Sequence, residues 1–235
     1  PSLSETVASL NNTQLVYAPD TRTKYSNAAV SVVGEVLEQQ LEVSHPDYVA
    51  KEIFEPLQLQ QSSFEISENL EGNLATGWMR TYDGRRFVAP TFLLGTGPAG
   101  NLYSSMDDLA KFLIWLLDGN SSKTILRRET LRSMTTPVRD NRGRPLGFGL
   151  GFHVQKLAGY RKVGHGGAIY GFSTQLEALP ERGLGVAACS SLDGSNGLVE
   201  RLADYALQLM LAVQDRQPLP GYRRTSPVPE ARAQE

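Results

Sequence analysis

Two short runs contain residue types whose spacing could support chemistry. Tyr25-Ser26-Asn27 sets a phenol and a carboxamide two residues apart, directly before an apolar run that begins at Ala28. A phenol can carry a proton and a carboxamide both donates and accepts hydrogen bonds, so the pair suits the surroundings of a nucleophile. The second run, His165-Gly166-Gly167, follows 165 − 25 = 140 residues later. Its glycines strip side chains from the backbone beside an imidazole, which lets a substrate lie against the chain and take hydrogen bonds from bare amides. Taken alone, the same run reads more simply as a bulge with a solvent-exposed imidazole.

Other candidates are weaker. His45, His153 and His165 do not have the His/Cys/Glu spacing of a zinc site, so no metal is expected. Gly95-Thr96-Gly97-Pro98-Ala99-Gly100 reads as a flexible loop. No Gly-Lys-Ser/Thr follows it, and it fits neither phosphate-binding fingerprint. Cys189 is the sole cysteine, which forbids an intrachain disulfide, and its apolar setting predicts a buried inert thiol.

The elements that must hold these residues can be read from periodicity. Residues 1–24 are polar and weakly patterned. Ser26 or Asn27 should cap a helix running to about Leu41, with Ala29, Val32, Val33, Val36 and Leu37 buried and Glu35, Glu38 and Gln39 facing water. Ser44-His45-Pro46-Asp47 predicts a capped helix that stops before Pro56, with His45 on the surface. A short extended piece is expected over Ser62 to Ile66, and a hairpin over Trp78 to Val88 about Asp83-Gly84. Ser105-Met106-Asp107-Asp108 reads as a capping box opening an apolar helix that Gly119 ends, and a short helix follows near Glu129 to Met134.

After Asp140 the pattern turns to strands. They are expected over Gly147 to Val154, Lys162 to Leu179 and Gly185 to Ser190. Leu198, Leu202, Tyr205, Ala206, Leu209, Met210 and Val213 predict an amphipathic helix lying across that sheet. The reading is thus α+β: a mainly helical lobe over 1–140, an antiparallel sheet with its helix over 141–215, and a Pro-rich linker or tail over 216–235.

Bulk properties narrow the function. The 235 residues carry a net charge of −2 at a pI near 6.0, which argues against a general nucleic-acid or anionic-membrane binder. The adjacent arginines Arg85-Arg86, Arg127-Arg128 and Arg223-Arg224 read as solvated surface pairs. No apolar run approaches the roughly 20 residues of a membrane span.

The order of motifs resembles the serine β-lactamase and penicillin-binding superfamily, most closely its class C branch with D-alanyl-D-alanine carboxypeptidases and β-lactamase-like esterases. The resemblance is carried by Tyr25-Ser26-Asn27-Ala28, Ile53-Phe54-Glu55-Pro56-Leu57, the run from Gly100 to Ala110, and Gly164-His165-Gly166-Gly167, and it extends from about Val16 to Met210. It implies a serine hydrolase that forms an acyl-enzyme and needs no cofactor. By the same resemblance Tyr25 is the general base and later acid, and Asn27 orients the lysine and the acyl group. His165 stands where a lysine is commoner, Gly166 and Gly167 line the substrate, and the amide of Ala168 forms half of the oxyanion hole. A small molecule or peptide is the implied substrate, with ester or peptide chemistry favoured over efficient β-lactam hydrolysis. A periplasmic or secreted bacterial setting is also implied.

One departure is sharp. The residues three before the six lysines are Thr21, Tyr48, Asp108, Asn120, His153 and Gly159, so the family's Ser-x-x-Lys is not present. The sequence therefore predicts a C-terminal portion of such a hydrolase, without the first strands and the nucleophile helix, and with the nucleophile on another segment or a second polypeptide. A non-catalytic binding module with the same cleft is the alternative.

Overall fold

The computed structural model describes residues 1–66, 68–118 and 125–221. The expected helix stop at Gly119, the Arg223-Arg224 pair and the end of the tail with Pro227 and Pro229 lie outside these residues.

The architecture is mixed α/β. Short helix α1 (Leu3–Ala8) precedes α2 (Asn27–Leu41), then α3 (His45–Val49), a π-helical turn (Ala50–Phe54), α4 (Glu55–Leu57) and α5 (Glu68–Glu71). A small hairpin follows, β1 (Trp78–Arg80) with β2 (Arg86–Val88), and then α6 (Gly97–Gly100), α7 (Met106–Leu117) and α8 (Arg128–Met134). The second half forms one antiparallel sheet in the order β3 (His153–Leu157), β4 (Tyr160–Ile169), β5 (Phe172–Leu179), β6 (Leu184–Ser190), and ends in α9 (Asn196–Gln214).

The sheet is covered on both faces. Toward α7 the core holds Leu113 and Leu116 against Val154, Val163 and Ala178. Toward α9 it holds Leu179, Leu207 and Leu211. The two alternating sets of strand side chains each meet a helix.

Several expectations need correction. The segment before Tyr25 is not featureless, because Ser2 and Glu5 form a reciprocal capping box that starts α1. Helix α2 has the expected bounds but buries a different face: Ser31, Gly34 and Glu35 are inside, while Val33 is 67% exposed and Val36 52%. Glu35 tolerates its place because Ser4 Oγ donates to it at 2.8 Å and Gln39 Nε2 at 2.8 Å. Gly34 is the contact with α6, since a Cβ there would fall on the ring of Pro98.

Helix α9 repeats the lesson. Val199, Ala203, Leu207 and Leu211 face the sheet, and the stripe that includes Leu198, Leu202 and Val213 is exposed, Val213 by 68%. Helix α9 carries two apolar stripes and α2 packs through small and polar residues, so periodicity alone does not tell which face is inside.

Pro56 does not end its helix. The π turn before it shifts the hydrogen-bond register, and Pro56 falls in the first turn of α4, where its missing N–H has no intrahelical partner to lose. The glycine-rich run becomes the helical turn α6, followed by Asn101, whose amide bonds both the N–H and the C=O of Leu94. Ser105 accepts from the Asp108 N–H, but Asp108 does not reciprocate as a capping box would. Its carboxylate turns instead to the Gln61 N–H at 2.7 Å, Ser62 Oγ at 2.9 Å and Lys111 Nζ at 2.9 Å.

In the sheet half, the alternating glycines over 147–152 form turns, and β3 starts only at His153. The single strand expected over Lys162 to Leu179 is a hairpin, broken where Gly171 adopts φ +83°. Cys189 is exposed on β6, the outermost strand of the sheet. His45 is half-buried against Phe64, ring centroids 4.8 Å apart, and burial lowers its pKa.

Candidate active site

Tyr25 and Asn27 are fixed by the start of α2. Ser26 caps it, accepting from the Ala29 N–H at 3.2 Å, and the Asn27 carbonyl takes the Ser31 hydroxyl at 3.0 Å. The chain before the cap is extended, which leaves the phenol of Tyr25 more than half exposed at the helix mouth.

His165 enters from β4. Its ring lies 5.9 Å from that of Tyr25 between centroids and 4.9 Å from that of His153. His165 Nδ1 is 2.6 Å from the carbonyl oxygen of Gly166. A carbonyl only accepts, so Nδ1 carries the proton of the neutral ring and Nε2 keeps a lone pair.

The strand itself supplies the rest. β3 pairs with β4 only between Tyr160 and Gly164, whereas β5 continues along it to Ile169. From His165 to Ile169 the far edge of β4 has no strand partner among the described residues. Gly166, Gly167 and Ala168 therefore present main chain to a pocket of about 440 Å³ that Tyr25, Asn27 and His165 also line. The predicted site residues, 140 positions apart, all border one cavity.

The pocket also holds residues that the motifs did not reveal. His153, Gln175 and Asn196 line it, with Lys162, Glu177 and Glu200. Asn196, first in α9, donates to the Gly167 carbonyl at 3.0 Å and accepts from Ser173, which pins the helix to the strand beside the site. Burial lowers the pKa of His153, and the neighbouring His165 adds to the effect. His153 stands directly opposite Gly164 in the register, one residue from His165, a placement that no local motif carries.

Lys162 Nζ donates to Glu177 at 2.7 Å and to Asp204 at 2.6 Å. Burial alone would lower its pKa, but the two carboxylates outweigh that and raise it. Glu177 shares its ammonium with Asp204, so burial prevails and raises its carboxyl. Among the described residues no cluster of three or more His, Cys, Asp or Glu could hold a metal ion, and no helix is long and apolar enough to cross a membrane.

The mixed α/β architecture, an antiparallel sheet with a C-terminal helix across it, is that of β-lactamase-like and penicillin-binding proteins. Residues 2–211 match the family model described as Beta-lactamase, and the chain belongs to that family. It is similar to a human beta-lactamase-like protein, 29% identical over 191 residues that cover 79% of this chain and 37% of that one. It is also similar to a D-aminopeptidase of Cereibacter sphaeroides, 26% identical over 160 residues, 68% of this chain and 30% of the relative. Among solved structures, the octameric penicillin-binding protein homologue from Pyrococcus abyssi superposes with a TM-score of 0.78 at 27% identity, covering 90% of this chain and 48% of that one. The chain thus spans about a third of these two curated relatives.

Proposed function

We propose that this chain is the base-bearing and oxyanion-side part of a serine hydrolase that acts on esters or amides through an acyl-enzyme. The observation that carries the reading is that Tyr25, Asn27, His165 and the bare backbone of Gly166 to Ala168 border one pocket. Tyr25 takes the proton of the attacking serine hydroxyl and returns it to the leaving group. Asn27 orients the acyl portion. His165, with Nε2 unprotonated, faces the phenol as a hydrogen-bond acceptor, and the Ala168 amide stabilises the developing oxyanion.

The serine is supplied by polypeptide outside this chain. Two observations support this: none of the six lysines follows a serine by three residues, and the relatives are about three times as long as the aligned region. The relative named D-aminopeptidase, and an imidazole where a lysine is commoner, favour amide or ester substrates over β-lactams. The test is to combine the chain with the segment that bears Ser-x-x-Lys and measure hydrolysis of p-nitrophenyl butyrate. Activity that needs both parts is expected, and lack of activity in the combined protein would favour a non-catalytic binding module.

A further inference from the structure

A second pocket, of about 380 Å³, lies where two distant stretches of chain meet. Thr21, Arg22 and Thr23 form one side of it, and Asp140 and Arg144 the other. The two stretches are tied together by the Asn141 N–H, which donates to the Asp20 carbonyl at 3.1 Å. This pocket shares no lining residue with the one that Tyr25 and His165 border.

The one carboxylate among its lining residues is fully occupied by the protein. Asp140 is buried; its Oδ1 accepts from the Arg142 N–H at 2.9 Å and the Arg144 N–H at 2.8 Å, and its Oδ2 meets Arg144 Nε and Nη2, each at 2.7 Å. These bonds, with that of the Asp140 N–H to the Arg144 carbonyl at 2.9 Å, fix the turn that carries Arg144. Its guanidinium is thereby pre-positioned, and Nη1 keeps its donors without a protein partner among the described residues. Across the pocket, Arg22 makes no ion pair among the described residues. It lies over the ring of Tyr17, with Cζ 5.2 Å from the centroid, a stacking that leaves the in-plane N–H groups free.

The charge balance points the same way. Residues 20–24 and 139–144 carry five cationic side chains against two carboxylates, in a chain whose net charge is −2. Two guanidinium groups on one cavity repel each other until an anion lies between them, and their planar forks match the oxygens of a carboxylate or phosphate.

We infer that this pocket is a binding site for an oxyanion, a phosphate or carboxylate group, held between Arg22 and Arg144 with the Thr23 hydroxyl beside it. Thr23 is two residues from Tyr25, at most about 7 Å between Cα atoms. A ligand longer than that can place its anion here while its other end occupies the first pocket. Binding of the anion does not itself depend on acyl transfer.

The test is titration of the full chain with pyrophosphate and with glutarate at constant ionic strength, followed by backbone amide and arginine Nε–H signals in NMR. Saturable shifts confined to residues 20–24 and 139–146 are expected, and the probe that binds more tightly shows whether phosphate or carboxylate is the preferred group. Arg22→Gln, on an exposed position, should weaken binding by about tenfold, the scale of one charge-assisted contact. Arg144→Lys, which keeps the charge but loses the fork, should weaken it as well. Arg86→Gln, the same change of charge outside the pocket, should leave it unaltered. No saturable binding of either probe, shifts spread over the surface arginines at large, or an Arg22→Gln variant that binds as tightly as the wild type would overturn the inference. Because no turnover is read, such a result leaves the acyl-transfer reading intact, and failure of the hydrolysis assay leaves this site intact.

Discussion

The rings of Tyr25 and His165 are neighbours, 5.9 Å apart between centroids and inclined by 39°, although one stands at the mouth of α2 and the other in the middle strand pair of the sheet. This contact joins the two halves of the chain at the site. Once the nucleophile is supplied, Tyr25→Phe should lower ester hydrolysis by about 10²-fold or more, the usual effect of removing a general base. The His165 ring should stay in place, so KM should change much less than kcat.

The short contact between His165 Nδ1 and the Gly166 carbonyl fixes a tautomer. Nitrogen-15 NMR of the neutral ring should show Nδ1 protonated and Nε2 bare. The opposite tautomer would mean that the Gly166 carbonyl is not its partner, and would remove the acceptor proposed for the Tyr25 phenol.

Two neighbouring glycines should differ sharply on substitution. A Cβ on Gly164 would fall on the main-chain carbonyl of Leu176, which the sheet holds rigidly, whereas on Gly166 it meets the movable end of Gln175. Gly164→Ala should destabilise the fold by about 1–3 kcal/mol, the usual cost of overpacking. Gly166→Ala should cost less stability and instead narrow the pocket. Thermal unfolding of both variants checks the order.

Asp108 is fully buried, yet its pKa is lowered: burial acts to raise it, and hydrogen bonds from Lys111, the Gln61 N–H and Ser62 prevail. Its stabilising contribution is therefore complete above the ordinary Asp value of about 3.9 and is lost as the pH falls through the depressed one. Asp108→Ala, which leaves the Gln61 amide without its acceptor, should cost about 1–3 kcal/mol at neutral pH. The gap from the wild type should close in acid, as pH-dependent denaturant melts would show.

His153 gives the opposite kind of group, one whose neutral form the fold prefers. Its lowered pKa means that its contribution is present above the ordinary value near 6.5 and fades as the pH falls through the folded value. An NMR titration should place its midpoint below that of a free histidine, and His153→Gln should weaken the loss of stability in this range.

How far the sequence carries depends on whether a residue's meaning is local. Caps and turns are local, so the starts of α2 and α7 and the Asp83-Gly84 hairpin were legible from Ser26, Ser105 and Gly84. Tyr25 and His165 also stood out locally, and both line one pocket. The inward faces of α2 and α9 were not legible, because α2 packs through Ser31, Gly34 and Glu35 and α9 has two apolar stripes, so the choice depends on which neighbour each meets. The Lys162–Glu177 pair that lines the pocket was hidden for a related reason. Lys162 and Glu177 are ordinary charged residues in sequence, and only the offset of β4 against β5 makes them a buried pair beside Gly164.

The central claim is that the chain holds the proton carrier and oxyanion side of an acyl-transfer site whose nucleophile lies elsewhere. The most direct measurement is covalent labelling of the purified chain by a fluorescent penicillin, alone and then combined with the segment that bears Ser-x-x-Lys. The account predicts no label on the chain alone and a label on the added segment that is lost in the Tyr25→Phe combination. Covalent label on this chain by itself would contradict it.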